Sequence, residues 1–162
     1  MIAEIVEGDS IILRPLEEEQ APQICEWRNH PDISRFFYRK HIEPDAYVVW
    51  MREVAADPDQ GLYGIIEKNS SQLIGSLAFK LDRSAKGGPA ATLGIMIGDP
   101  ARREKGLGEE AMNIISNDLA GRFGIVKIIV EVLPENTAAI EFYKKLGFET
   151  ELLFLSKNIC NK

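Results

Sequence analysis

Several things are scarce in this chain, and each shortage narrows what it can be. Its 162 residues include two cysteines and two histidines. Cys25 and Cys160 show neither ligand nor redox spacing, so a disulfide framework is not expected and both thiols are expected to stay reduced. His30 and His41 have no carboxylate cluster at ligand spacing, and no metal is expected. Basic charge is also short: 19 Lys and Arg stand against 25 Asp and Glu, a net charge of −6. That balance argues against nucleic acid as a partner, and any anionic ligand must be met by a local basic patch. No run approaches the ~18 apolar residues of a membrane span, since Lys127 and Glu131 interrupt the best candidate. Met1 to Ser10 is too acidic and too weakly apolar for a secretory leader, so no membrane association is expected and the expected compartment is the cytoplasm. Internal repeats and low-complexity tracts are missing as well.

What is present suits one soluble core. Hydrophobic residues make up 45% of the chain, enough for a domain of this length to bury its centre. Ser10 to Leu13 reads as a short strand stopped by Pro15. Glu17 to Arg28 reads as a helix with an acidic first turn, and Pro44 to Ala55 as a second helix closed by Asp57-Pro58-Asp59. The period then changes. Leu62 to Glu67 and Gln72 to Leu81 read as strands joined at Asn69-Ser70-Ser71, and Thr92 to Gly98 follows the turn Lys86-Gly87-Gly88-Pro89. After these come helix, strand, helix and strand. An antiparallel meander running into βαβ units predicts a mixed α/β sheet with helices on both faces.

Within that order, Arg103-Glu104-Lys105-Gly106-Leu107-Gly108 lies between the apolar run Leu93 to Gly98 and a helical face of Leu107, Ala111, Ile114, Ile115 and Leu119. A Gly-rich turn there leaves backbone N–H groups unpaired at the positive end of a helix, a ready site for a pyrophosphate. Gly106 and Gly108 let the backbone approach the anion, Arg103 and Lys105 add charge at the rim, and Glu104 is expected to point outward. Further on, Ile125 to Leu133 reads as a buried strand. Pro134-Glu135-Asn136 then opens a helix with Ala139, Phe142, Tyr143 and Leu146 on one face, closed by Gly147, and Phe148 opens the next strand.

Taken together, Arg-x-x-Gly-x-Gly and Asn-x-x-Ala-x-x-x-Tyr-x-x-x-Gly-Phe resemble the acetyl-CoA-binding half of the GNAT N-acetyltransferases. The resemblance runs from about Ile11 to Phe148. It implies a single acetyltransferase domain over 1–162, with substrate-side helices and the first strand in 1–60 and an acetyl-CoA-binding sheet with its helices in 61–162. It also implies acetyl-CoA as co-substrate, lying in a V-shaped gap between the Leu93–Gly98 and Ile125–Leu133 strands. Exposed backbone around Ile95, Met96 and Ile97 would pair with its pantetheine amides. Leu107, Asn136 and Phe142 would join the phosphate loop in holding it, and Asn136 also reads as a helix N-cap.

Acetyl transfer to an amine needs a neutral amine, donors for the carbonyl oxygen and a proton for the departing thiolate. The resemblance makes Tyr143 the candidate acid; without the Asn136 and Gly147-Phe148 flanks it would read as a core aromatic. Glu131, an acidic residue in an apolar strand, is the candidate base. Buried, it would have a raised pKa and take a proton through a water; at a strand's end it would simply reach solvent. Ser76, beside Gly75, is a weaker candidate for holding such a water.

The acceptor is addressed by the first half. Arg28, Asn29, His30 and Tyr38, within Trp27-Arg28-Asn29-His30-Pro31-Asp32 and the aromatic stretch Phe36-Phe37-Tyr38, are the expected substrate residues. The string through His41-Ile42, with Gly75-Ser76 and Glu131-Val132, is similar to acetyltransferases of the 4-amino group of a UDP-linked dideoxy aminosugar in pseudaminic acid biosynthesis. The Leu-Arg-Pro-Leu start and Trp-Arg-Asn-x-Pro turn are shared with N-terminal acetyltransferases of ribosomal proteins. Aromatics offer a stacking face, and Arg28, Arg35, Arg39 and Lys40 offer charge for a second diphosphate. The expected partner is therefore a small-molecule amine, a sugar nucleotide ahead of a protein N-terminus. Outside the class stand a non-catalytic acyl-CoA-binding module and an ordinary nucleotide loop. The latter is weak, because neither a P-loop ending nor the three-glycine pattern of a dinucleotide fold is present. Only Glu151 to Ser156 is left to form a last strand, which reads either as a trimmed tail or as an edge completed by a second subunit in a homodimer.

Overall fold

A computed structural model describes residues 4–37 and 40–151. The described residues fall into two compact units that divide after Glu131. The first is built on a six-stranded sheet in sequential order: β1 (Val6–Glu7), β2 (Ile11–Pro15), β3 (Gln60–Glu67), β4 (Gln72–Asp82), β5 (Ala90–Ile97) and β6 (Lys127–Val130). Strands β1 to β5 pair antiparallel, and β5 and β6 pair in parallel. This is the mixed α/β sheet that the order of elements predicts.

Adjacent residues of β3 show which helix covers which face, because successive side chains on a strand point to opposite sides. Leu62 is buried in a cluster with Ala21, Ile24 and Cys25 of α1 (Ala21–Asn29) and Tyr47, Met51 and Val54 of α3 (Pro44–Ala56). Its neighbour Tyr63 points the other way, where its hydroxyl accepts a hydrogen bond from Arg122 of α4 (Leu107–Phe123). Helices thus cover both faces. α4 buries Leu107, Ala111, Met112, Ile115 and Leu119, so Leu107, Ala111, Ile115 and Leu119 form the expected stripe, while Ile114 is half-buried. The Glu110 carboxylate at the start of α4 accepts the amides of Ser10 and Ile11, at 2.7 and 3.3 Å, tying the helix to the β1–β2 turn.

The local reading holds with adjustments at the edges. The Glu17–Arg28 helix is a 3-10 turn, Glu18–Gln20, followed by α1, with Pro22 in its first turn where no helical N–H is lost. After Pro31 the chain forms one more turn, α2 (Pro31–Ser34), with the His30 ring accepting the Asp32 amide as a cap. The strand expected over Ile125 to Leu133 is confined to β6, because Asn136 and Leu133 form a turn of their own. The second unit carries α5 (Thr137–Lys145). Of the last expected strand, only Glu151 lies within the described residues.

Among the described residues no helix is long and apolar enough to cross a membrane, and no group of three His, Cys, Asp or Glu is placed to hold a metal ion.

Burial pushes the phenols of Tyr47 and Tyr63 above their ordinary value of 10. A phenol whose folded pKa is raised favours the native state below pH 10, and that contribution fades as pH climbs past 10. The melting temperature should therefore fall as pH rises beyond 10. In Tyr47→Phe, measured by thermal denaturation over the same range, the fall should be shallower.

Candidate functional site

The parting of β5 and β6 is the central feature of the first unit. Their ladder runs from Ala90–Lys127 to Leu93–Val130 and stops there. On its other side β5 stays paired with β4 as far as Ile97–Gly75. Gly94, Ile95, Met96 and Ile97 therefore present one backbone edge with no strand beside it among the described residues. An extended ligand with amide groups can use that edge as a strand would. Ile95, Met96 and Ile97 are all half-buried, and the Ile97 carbonyl already receives Arg103 Nε at 3.1 Å. Successive residues turn their peptide groups to opposite edges, and the Met96 carbonyl faces Gly75 of β4, so pairing along the open edge rests mainly on Ile95.

A bulge brings the phosphate loop to the end of this edge. Between Ile65–Gly75 and Ile66–Leu73 the β3–β4 register shifts, leaving Ile74 as the extra residue. The freed Ile74 carbonyl accepts the amides of Gly98 and Asp99, at 2.9 and 3.2 Å. Asp99 then caps a 3-10 turn, Pro100–Arg102, by accepting the Ala101 amide. Arg102 bridges Asp99 and Glu67, at 3.1 and 3.2 Å, fastening the loop to the β3–β4 hairpin. Hydrogen bonds from Ser70 and Arg102 hold the Glu67 carboxyl below the usual carboxylate range. Arg103 donates to the carbonyls of Ile97 and Gly98, so its guanidinium fixes the loop.

The loop ends in a helix start with no side-chain cap. Gly106 sits at φ +79°, a left-handed conformation that costs other residues, and as N-cap it offers no side chain to bond the first-turn amides. The first intrahelical bond is Glu110 N–H to Gly106 C=O, so the amides of Leu107, Gly108 and Glu109 have no helical acceptor. Glu104 is exposed, as expected, and itself adopts φ +59°. Lys105 is exposed. Leu107 is buried in the core, so its share in holding a ligand is its backbone amide.

On the α1–α3 face the acceptor-side residues take varied positions. Ser76 is half-buried and pairs with Gly64 and Met96 across the sheet. The Trp27 indole packs flat on Gly98, leaving no room for a Cβ there. Arg28 stacks over the Phe37 ring at 4.4 Å, and Arg35 over Phe36 at 4.6 Å. Asn29 both donates to the Ile42 carbonyl and accepts the Ile42 amide, each at 2.9 Å, joining the end of α1 to the approach of α3. That is a structural use of its whole amide. His30 is exposed and caps α2. Tyr38 and Arg39 lie outside the described residues.

Glu131 is exposed. The burial that the base reading supposed is not found: the carboxylate reaches solvent where β5 and β6 part, and any proton it takes passes through water. The physical reason is that β6 ends at Val130, so Glu131 is the first residue past the last strand pair.

In the second unit, Asn136 caps α5 by accepting the Ala139 amide at 3.2 Å. Gly147, at φ +89°, closes the helix: its amide bonds the Lys144 carbonyl, and the Phe148 amide bonds the Tyr143 carbonyl. This turn sets the Phe148 ring against Tyr143 at 5.4 Å, with Phe142 on another side at 5.1 Å. Tyr143 is buried, and burial pushes its phenol up to about 12, so it holds its proton at neutral pH.

Three contributors escape a reading by motif: Ile74, Arg102 and Glu110. A bulge leaves no mark in an apolar run. Arg102 and Glu110 look like ordinary surface charges until the hairpin and the β1–β2 turn are folded against them.

The family profile described as Acetyltransferase (GNAT) domain matches residues 10–149. The chain is 24% identical to an N-acetyltransferase 9-like protein of Nematostella vectensis, over 95% of this chain and 87% of that one. It is 25% identical to Acetyltransferase PseH of Campylobacter jejuni, over 82% and 79%. Among solved structures, spermidine N-acetyltransferase from Vibrio cholerae, in complex with CoA and spermine, superposes with a TM-score of 0.79 at 20% identity, over 95% and 89%. That last likeness is one of fold.

Gly106→Ala places a Cβ in a left-handed conformation that costs about 1–2 kcal/mol, and the loop should relax away from its present path. CoA affinity in calorimetric titration is expected to fall about tenfold, equivalent to ~1.4 kcal/mol, with the secondary structure by circular dichroism unchanged.

Proposed function

The chain belongs to the GNAT acetyltransferase family, and on that premise we propose that it transfers acetyl from acetyl-CoA to the primary amine of a nucleotide-linked aminosugar. The observation that carries the acceptor is the character of its α1–α2 segment. Two guanidinium–aromatic stacks, Arg28 on Phe37 and Arg35 on Phe36, give a face that is both basic and aromatic. Such a face suits a base and a diphosphate; the basic N-terminal segment of a ribosomal protein would call for an acidic one. The similarity to Acetyltransferase PseH supports the same branch.

The residues fit acetyl-CoA at two places: the open edge of β5 for an amide-bearing arm, and the uncapped start of α4 for a pyrophosphate. Acetyl-CoA supplies the activated acyl group. The amine nitrogen forms the new C–N bond as the C–S bond breaks, the amine gives up one proton, and the leaving sulfur gains one. Glu131, where β5 and β6 part, takes the amine's proton through water in this reading, with Ser76 as a holder of that water. Tyr143, protonated throughout the neutral range, serves as the acid. Asn136 and Phe142 belong to the cofactor side. Arg28, His30 and Tyr38 belong to the acceptor, and Asn29 shapes the segment that carries them. The protein works in the cytoplasm without a metal.

Release of free CoA tests this, with a UDP-linked 4-amino-4,6-dideoxy sugar and a basic N-terminal peptide offered separately. Thiol release is expected with the sugar alone, and Tyr143→Phe should lower it about a hundredfold. Turnover with the peptide alone would move the protein to the ribosomal branch. CoA binding without turnover on any amine would leave a binding module.

A further inference from the structure

Four glycines lie inside the strands of the described sheet, and three have a steric reason. A Cβ at Gly61 would meet the Phe79 ring, at Gly64 the Leu73 side chain, and at Gly75 the Met96 carbonyl of the neighbouring strand. Gly94, in the middle of β5, has none. Among the described residues nothing lies within 4 Å of the place its Cβ would occupy, and its φ is outside the left-handed region that favours glycine. It is exposed. A strand glycine weakens the strand and often marks a place where a ligand approaches the backbone closely.

The position of Gly94 says which ligand. It pairs with Ala78, which pairs with Leu62, and cross-strand partners share a face. Leu62 and Ala78 belong to the α1–α3 side, as does Met96 two residues along. Gly94 and Glu131 are each the first residue past the last β5–β6 pair, Leu93–Val130. The bare Cα therefore lies at the point of parting, on the face that carries the acceptor-side residues, next to the candidate base.

We propose that Gly94 is a specificity-determining position. The space left by its missing side chain is the passage through which the acceptor amine comes down onto the acyl carbonyl held along the open edge of β5. The proposal rests on the acetyl-transfer reading of this site and adds a residue that neither motif contains. A side chain here narrows the approach of the amine and leaves the cofactor's own contacts in place.

Gly94→Ala and Gly94→Val test it in the full chain. Expected are a drop in kcat/KM for the acceptor of about tenfold in the first and about a hundredfold in the second, a displacement near one ångström being enough for the latter. Acetyl-CoA affinity should match wild type, and the melting temperature should be equal or higher. Wild-type kcat/KM in Gly94→Val overturns the proposal. So does a parallel loss of acetyl-CoA affinity, which would assign the space to the cofactor, or a lowered melting temperature in Gly94→Ala, which would make the glycine structural. If wild type accepts a peptide or polyamine amine and not the sugar nucleotide, the sugar reading fails, and Gly94 is judged on the amine that is accepted. Wild type inert toward every amine overturns both.

Discussion

The ladder between β5 and β6 ends after four residues, and the site depends on that ending. A strand in the middle of a sheet has its peptide groups satisfied from both sides, and groups left without a partner must find water or a ligand. Among the described residues, β5 from Gly94 onward is paired only with β4, apart from the Arg103 side chain on the Ile97 carbonyl. The edge stays straight and available because β4 grips it along its whole length and because Gly75 lets the two backbones come close. A longer β6 would close the gap; a shorter β4 would let the edge curl. The sheet is thus complete enough to be rigid and incomplete in one place.

The bulge at Ile74 links that edge to the loop beyond it. By slipping one residue out of register, β4 turns a carbonyl toward the chain leaving β5, and Gly98 and Asp99 hang from it. From there the loop is fastened twice more, by Arg102 to Glu67 and by Arg103 to the carbonyls of Ile97 and Gly98. These contacts bring the start of α4 to the end of the open edge in a fixed geometry. Preorganisation of this kind spares the ligand the cost of ordering the loop.

Much of this is written in local patterns. The alternation along β3 and β4, the Gly-rich turn and the stripe on α4 follow from side-chain period and backbone sterics within a few residues, so the sheet order and loop position can be read directly. The end of β6 cannot, since Val132 and Leu133 resume the apolar run past Glu131; the turn at Leu133–Asn136 decides. For the same reason Glu131 reads equally as buried or exposed until the strand's last pair is known. Asn29 reads as a substrate ligand because it sits in a polar turn, yet its amide is engaged by Ile42, thirteen residues on. Gly94 passes unnoticed because a glycine's reason lies in what surrounds it in space. Gly147 is the opposite case: its helix-closing role is local, and the Phe148–Tyr143 ring contact comes with it.

Of the cations in the phosphate loop, Arg102 is neutralised by Glu67 and Asp99, whereas Arg103, bonded to neutral carbonyls, and the exposed Lys105 keep their charge, which sets how a polyanion is met in solution. Attraction at the start of α4 comes from peptide dipoles, whose reach is about one helical turn, and from the charges of Arg103 and Lys105. At longer range CoA meets a chain of net charge −6. Local attraction and the repulsion of the whole chain oppose each other, and added salt screens both, so the association rate responds to salt less than that of a ligand drawn into a uniformly basic cleft.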